Sequence, residues 1–499
     1  MLQVVSPRRE PAPTPELNPR RGRAESIYHA LLREHGGTPG QIDELARAAS
    51  RSWLADRLEA AADLESDLPD DPRALADWLE EGNRRVGAQY REYLAERQAG
   101  APRRYFSCRS HALHFLRGVA PTKLVDGAWL YGLLGRAEDP DYAALIRIYL
   151  EELGEGSPDK NHVVLYRKLL DANGCEHFAD QLRDEHYVQG ALQLSLAHHA
   201  ADFLPEVIGF NLGYEQLPLH LLISAYELSE LGIDPYYFTL HVTVDNAATG
   251  HARKAVDGLL NALPRLADPR AFYRRVAAGY KLNGLGAGTT DVIEGFDLER
   301  ELVAVLADKA AIGAALHSDY CRIGGRLVSD WLSEPGSLPA FLAALESNGW
   351  IRRGQDPQNS RFWQLIQSER APMFGVFNRY EQQLIHDWIV AEPREQAGAG
   401  ERRTPRRFRP PPAAAAPGSV SAGVPPRARS LVEVVRRETA GDADDFDGER
   451  AALRERLLAA PDRRAAMATA RELMSPANHH SAVGLAATRV FSRLFDEAC

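Results

Sequence analysis

Tyr236-Tyr-Phe-Thr-Leu-His-Val-Thr-Val-Asp-Asn-Ala-Ala-Thr-Gly-His-Ala-Arg-Lys254 is the stretch around which the remainder of the chain can be read. His241 and Asp245 stand four residues apart, a spacing that stacks two side chains on one face of a helix. Leu240, Val242 and Val244 flank them, so the helix is expected to be largely buried. A buried carboxylate is costly unless it is paired or bound to a cation. An imidazole and a carboxylate aimed together suit a divalent iron, manganese or zinc ion. One His-xxx-Asp pair arises by chance on many helices, so the rest of the chain has to support the reading.

The bulk properties narrow the classes. The chain has 499 residues, enough for about two to four domains and at least one large core. Apolar residues at 44% and charged residues at 26% are ordinary for a globular protein. A net charge of −10 argues against a general nucleic-acid binder. Cys108, Cys175, Cys321 and Cys499 are scattered with no CxxC pair, which supports neither a disulfide framework nor a zinc ribbon. A reducing, cytoplasmic setting is the simplest expectation. No apolar run approaches the roughly 18 residues of a membrane helix, so no membrane association is expected.

Outward from that stretch, the pattern is helical throughout. Residues 1–23 are rich in Pro and Arg, lack an apolar signal core and read as a disordered tail. From 24 to 100, Ile27, Leu31, Leu32, Ile42, Leu45, Trp53, Leu54 and Leu58 fall mostly at three- and four-residue intervals within each group, predicting an N-terminal helical extension. In the main body, residues 101–393, Asp126 lies inside the apolar run Leu124-Val-Asp-Gly-Ala-Trp-Leu-Tyr; it fits either an inward carboxylate or a helix start after Pro121. Glu152 closes one apolar helix and His162 opens the next, with Gly154, Gly156 and Pro158 interrupting the helix between them. Glu215 sits in the largely apolar run Val207-Ile-Gly-Phe-Asn-Leu-Gly-Tyr-Glu. His186, His198, His199 and His220 read as core or surface histidines rather than ligands. Residues 394–430, crowded with arginine, proline and alanine, read as a disordered linker. Residues 431–499 read as a small helical appendage without a chemical signature, with His479-His480 in a solvent-exposed polar turn.

Together, Asp126, Glu152, His162, Glu215, His241, Asp245 and His251 form a set of carboxylates and imidazoles carried on about five helical segments. Inward carboxylates and histidines from several helices are how helical bundles hold a pair of iron or manganese ions. Hard oxygen ligands with a few imidazoles suit iron(II), and open positions admit O2.

The joint pattern resembles the haem-oxygenase-like di-iron oxidases, a group also labelled iron-containing redox enzymes. Glu152-Leu-Gly-Glu-Gly with His162 ten residues on is similar to that family's Glu…Gly-x-Gly…His element. Tyr237-Phe-Thr-Leu-His-Val-Thr-Val-Asp-Asn resembles its second ligand helix, and Gly209-Phe-Asn-Leu-Gly-Tyr-Glu the helix bearing its bridging or second-site Glu. The likeness covers roughly 105–260 and continues more loosely to about 390 through Asp356-Pro-Gln-Asn-Ser-Arg-Phe and Met373-Phe-Gly-Val-Phe. It implies an all-α, haem-oxygenase-like multi-helix bundle with two irons per chain rather than haem. One iron would use Asp126, Glu152 and His162; the other Glu215, His241 and Asp245, with Glu152 able to bridge. It further implies reduction of O2 as co-substrate through a peroxo-di-iron intermediate that oxidises a small amine, amino-acid or fatty-acid-like substrate. An external electron donor and a homodimer are compatible with that reading.

The chain departs from the family pattern in two places. Asp126 stands where the family has Glu, a shorter arm for that iron. A second histidine seven residues after the first is common in related enzymes; here that position is Ala248, and the next imidazole is His251, at plus ten. On a straight helix His251 would point about 80° away from His241, and Gly250 would be needed to swing it in. Two other classes compete with the di-iron reading. One is a metal-free or haem-binding enzyme of the same fold, its acids and histidines lining an organic pocket. The other is a helical scaffold without enzymatic activity, against which the buried-looking carboxylates count. No G-x-S-x-G elbow, P-loop, Gly-x-Gly-x-x-Gly or HExxH motif is present.

Overall fold

A computed structural model describes residues 22–34, 40–177, 182–244, 250–265, 267–313, 317, 320–367, 369–392, 430–439 and 447–497. The expected all-α class is found: the chain is 70% helical, and among the described residues the strands are one antiparallel pair, Arg322–Ile323 with Arg326–Leu327. No helix among them is long and apolar enough to cross a membrane.

Many helix starts follow local capping chemistry. Asp43 accepts from the backbone N–H groups of Leu45 and Ala46 to open the helix Glu44–Ala61. Asn161 does the same for Val164 at the head of His162–Ala172. Ser430 and Glu433 form a capping box that starts Leu431–Glu438.

The apolar residues gather in two clusters. The first joins Ile27, Trp53 and Leu79 of the N-terminal helices to Trp129, Leu150, Phe210 and Val256. The second joins Phe106, Phe115, Tyr166, Tyr237 and Phe238 to residues between Val292 and Ile389. Two expectations change here. Leu45, read as a core position, is 60% exposed. The C-terminal helices are no loose appendage: Val434, Leu453, Leu457, Val490, Phe491 and Phe495 are buried in the first cluster with Trp129 and Leu150. Burying that many large apolar side chains against the body is worth far more than any surface contact.

The helices Leu204–Tyr214 and Pro269–Lys281 cross with their backbones nearly touching. A methyl group on Gly209 would collide with the Val276 carbonyl, and one on Gly279 with the Glu206 carbonyl. Neither obstacle is a flexible side chain, so the helices would have to part. Gly209→Ala is expected to destabilise the protein by about 2–3 kcal/mol, read as a lowered midpoint in urea denaturation with little change in slope.

Candidate metal centre

Most of the candidate ligands sit at helix ends, along the seam between the two apolar clusters. Asp126 lies in the turn after the short helix Ala120–Lys123 and is 1% exposed. The next residue, Gly127, has φ +79° and lies against the Glu152 side chain, where a Cβ would be 2.8 Å from that of Glu152. Glu152 is the last residue of the helix Ala143–Glu152, and His162 is the first of His162–Ala172. Between them the helix is interrupted, as the Gly/Pro cluster predicts, by a tight turn at Gly154–Gly156. Glu215 caps the C-terminus of Leu204–Tyr214. His241 is in the helix Tyr236–Val244, and His251 opens a separate helix, His251–Ala262.

That last break corrects the reading of 236–254 as one helix. Gly250 is extended (φ −81°, ψ −167°), so His251 starts a new helical axis and the 80° offset of a continuous helix does not apply. Asp245 lies outside the described residues.

Two groups result. In the first, the donor atoms of Asp126, Glu152, His162 and His241 all lie within 4.8 Å of one another. Asp126 Oδ2 is 3.3 Å from His241 Nε2 and 4.0 Å from His162 Nδ1, and Glu152 Oε2 is 2.6 Å from His162 Nδ1. In the second, His251 Nδ1 is 3.1 Å from Glu152 Oε1 and 3.2 Å from Glu215 Oε2. Glu152 therefore turns one oxygen to each group. The grouping differs from the division the resemblance implies: His241 stands with Asp126 and His162, and the imidazole beside Glu215 is His251.

Supporting contacts fix the imidazoles. His241 Nδ1–H donates to the Tyr237 carbonyl one turn earlier (2.8 Å), which directs Nε2 at Asp126. His251 Nε2 lies 2.9 Å from Glu151 Oε2, and Lys254 holds Glu151 at 2.6 Å. A carboxylate behind an imidazole is the usual way a metal-ligating histidine is oriented. The Tyr237 hydroxyl donates to Asp126 Oδ2, and Lys123 Nζ lies 3.9 Å from the same oxygen while donating to Tyr214 (3.0 Å). Glu151, Tyr237 and Lys123 were not singled out from sequence. Tyr237 carried a signal, since it precedes His241 by four residues and shares its helical face.

Burial pushes the Asp126 carboxyl up, but Lys123 and His241 outweigh it and hold it below the usual range. Burial acts the same way on Glu152, where His162 and His251 prevail and hold it well below. Tyr237 is driven far up, by burial and then by the Asp126 charge. Thus the carboxylates are ionised and the phenol is a donor.

The donor set suits iron. Three buried carboxylates and three imidazoles supply hard oxygen and borderline nitrogen. Asp126 Oδ1 is buried without a hydrogen-bond partner. His162 Nδ1 approaches Glu152 Oε2 to 2.6 Å. Carboxylates and imidazoles crowded this closely in a buried site, with one carboxylate oxygen left without a hydrogen bond, are arranged for a cation.

Among the described residues, the other histidines belong to neither group. His199 bonds Ser50 (2.9 Å) and His186 the Gly118 carbonyl (3.1 Å). His220 lines a cavity of about 260 Å³ that reaches Glu152, Glu215 and His241, with Phe115, Tyr214, Leu221 and Phe238 as apolar wall. Among the described residues, Lys123 is the one Lys or Arg in that wall. His479, expected in solvent, is 2% exposed.

No curated protein and no solved structure matches the chain. Over residues 113–284, which hold all seven candidate ligands, the chain matches the haem-oxygenase-like family described as iron-containing redox enzyme, and this match together with the buried acid–histidine set supports an iron-dependent oxidoreductase.

Proposed function

We propose that the chain is a non-haem di-iron, O2-dependent oxidoreductase. The observation that carries this reading is Glu152, whose two oxygens face two separate acid–histidine groups. Asp126, Glu152, His162 and His241 would hold one iron; Glu152, Glu215 and His251 would hold the other. Iron bound there would supply the capacity to bind and reduce O2, with electrons from an external donor.

The protein's own groups do the remaining work. Tyr237 holds Asp126 in place through its hydroxyl, and Glu151 holds the His251 ring. The adjoining cavity takes a small substrate with an apolar body. Among the amine, amino-acid and fatty-acid classes, Lys123 in its wall favours a carboxylate-bearing one. Cys108 and Cys175 are free thiols, in keeping with a cytoplasmic enzyme.

Anaerobic loading with Fe(II) is expected to give near two irons per chain, with an absorption change when O2 is admitted. His251→Ala is expected to leave about one iron. Iron at background and no response to O2 would overturn the reading.

A further inference from the structure

We propose that the C-terminal segment 430–497, outside the stretch matched to the family, is a working part of the metal centre, in which His479 positions Asn161 and Asn161 sets the separation of Glu152 from His162. This inference rests on the di-iron reading above.

Asn161 lies immediately before His162, is fully buried, and uses its whole amide. Oδ1 accepts from the Val164 N–H (3.0 Å), which caps the His162 helix. That bond fixes which end of the amide is oxygen, so Nδ2 is the donor on the other side. Nδ2 donates to the carbonyl of Leu153, the residue after Glu152 (3.2 Å), and to Nδ1 of His479 (3.1 Å). One side chain thus ties the end of the Glu152 helix to the start of the His162 helix, and a histidine from the far end of the chain holds it. His479 must be neutral, with its proton on Nε2, to accept there.

The turn between the two ligands is moulded on the same segment. Gly154, Glu155 and Gly156 have φ of +61°, +51° and +82°, and Glu155 is the one non-glycine at positive φ among the described residues. Three successive left-handed residues persist only when the surroundings over-determine them. Arg489 of the helix Ala482–Asp496 donates to the Gly156 carbonyl (2.8 Å), and a Cβ on Gly156 would strike the Leu485 carbonyl. On the Glu152 helix, the Tyr149 hydroxyl donates to the Met474 carbonyl (2.6 Å), and Arg147 pairs with Asp496. Both helices that carry the first-group ligands around this turn are therefore set against residues 474–496.

The test uses the full chain loaded anaerobically with Fe(II), and separately with Co(II), whose visible bands report ligand geometry. His479→Phe fills the site but removes the acceptor, and Asn161→Ser keeps a capping oxygen but removes both donated bonds. Each is expected to weaken Fe(II) binding, measured by chelator competition, by about 10–100-fold and to shift the Co(II) bands. His479→Gln, which offers a carbonyl in place of Nδ1, is expected to restore both. Leu457→Ala, a buried change on the separate helix Asp447–Leu458, away from Asn161 and the 154–156 turn, is expected to lower Tm and leave the Co(II) bands unmoved. If His479→Phe does not fold, Asn161→Ser carries the test alone. Wild-type affinity and bands in the two loss variants, or an equal band shift in Leu457→Ala, would overturn the proposal while leaving the di-iron reading intact. A wild-type chain that takes up neither metal would overturn both.

Discussion

Glu152→Ala is expected to leave the protein with almost no bound iron. The other single-ligand changes each touch one group, whereas Glu152 faces both: Oε2 meets His162 and Oε1 meets His251. Its removal also leaves two buried imidazoles beside an apolar gap, so part of the loss will be structural. Glu152→Gln separates the two effects, since it keeps the volume and discards the charge. The glutamine variant should fold, with a somewhat lower Tm for the lost charge, and still lose iron at both positions. Metal analysis after anaerobic loading, with circular dichroism as the check on folding, reads both. Two irons retained in Glu152→Gln would show that Glu152 is not shared.

Acidification from pH 6.5 towards pH 4 should remove on the order of several kcal/mol of stability, a large part of what holds a folded domain. Burial holds His111, His220 and His480 neutral down to about pH 4, and His198 to about pH 3. His479 is also driven well down by burial, reinforced by His480. The unfolded chain takes up these protons near pH 6.5, while the folded chain refuses them until far lower. Between those limits the unfolded state binds more protons, so stability falls as pH falls and levels off below the folded values. His111 shows why the folded state refuses: its Nε2–H donates to the Ile293 carbonyl at 2.8 Å, and its Nδ1 accepts from the Ser107 N–H at 3.2 Å. A proton on Nδ1 would face a donor. Urea titrations across this range should show the decline. His198→Leu should flatten it, because His198 Nε2 is buried with no hydrogen bond to lose. A stability constant from pH 7 to pH 4 would contradict the account.

Much of this was legible from the chain alone, for identifiable reasons. Carboxylates inside apolar runs stand out, because burying one without a partner is costly. That singled out Asp126, Glu152 and Glu215, which all prove buried. Helical periodicity gave the fold class, since almost every element is a helix. What the sequence hid is long-range. The partition of ligands depends on where helices end in space: Gly250 marks where His251 can swing in, but the spacing does not say which carboxylates it then meets. Pro476-Ala-Asn-His-His-Ser481 has the composition of an exposed turn, yet His479 is buried because Asn161 and the His162 helix cover it. Glu151 looked like one more charge at a helix end; its value comes from His251, 100 residues later.

The bond between Asn161 and His479 spans 318 residues of sequence. Synthesis runs from the N-terminus, so every candidate ligand leaves the ribosome well before the histidine that steadies two of them. A nascent chain stopped short of His479 can present all its carboxylates and imidazoles and still lack the final bite between Glu152 and His162. Under that proposal, tight uptake of iron waits until His479 has been made and has closed on Asn161, a timing written into the chain by the position of one residue.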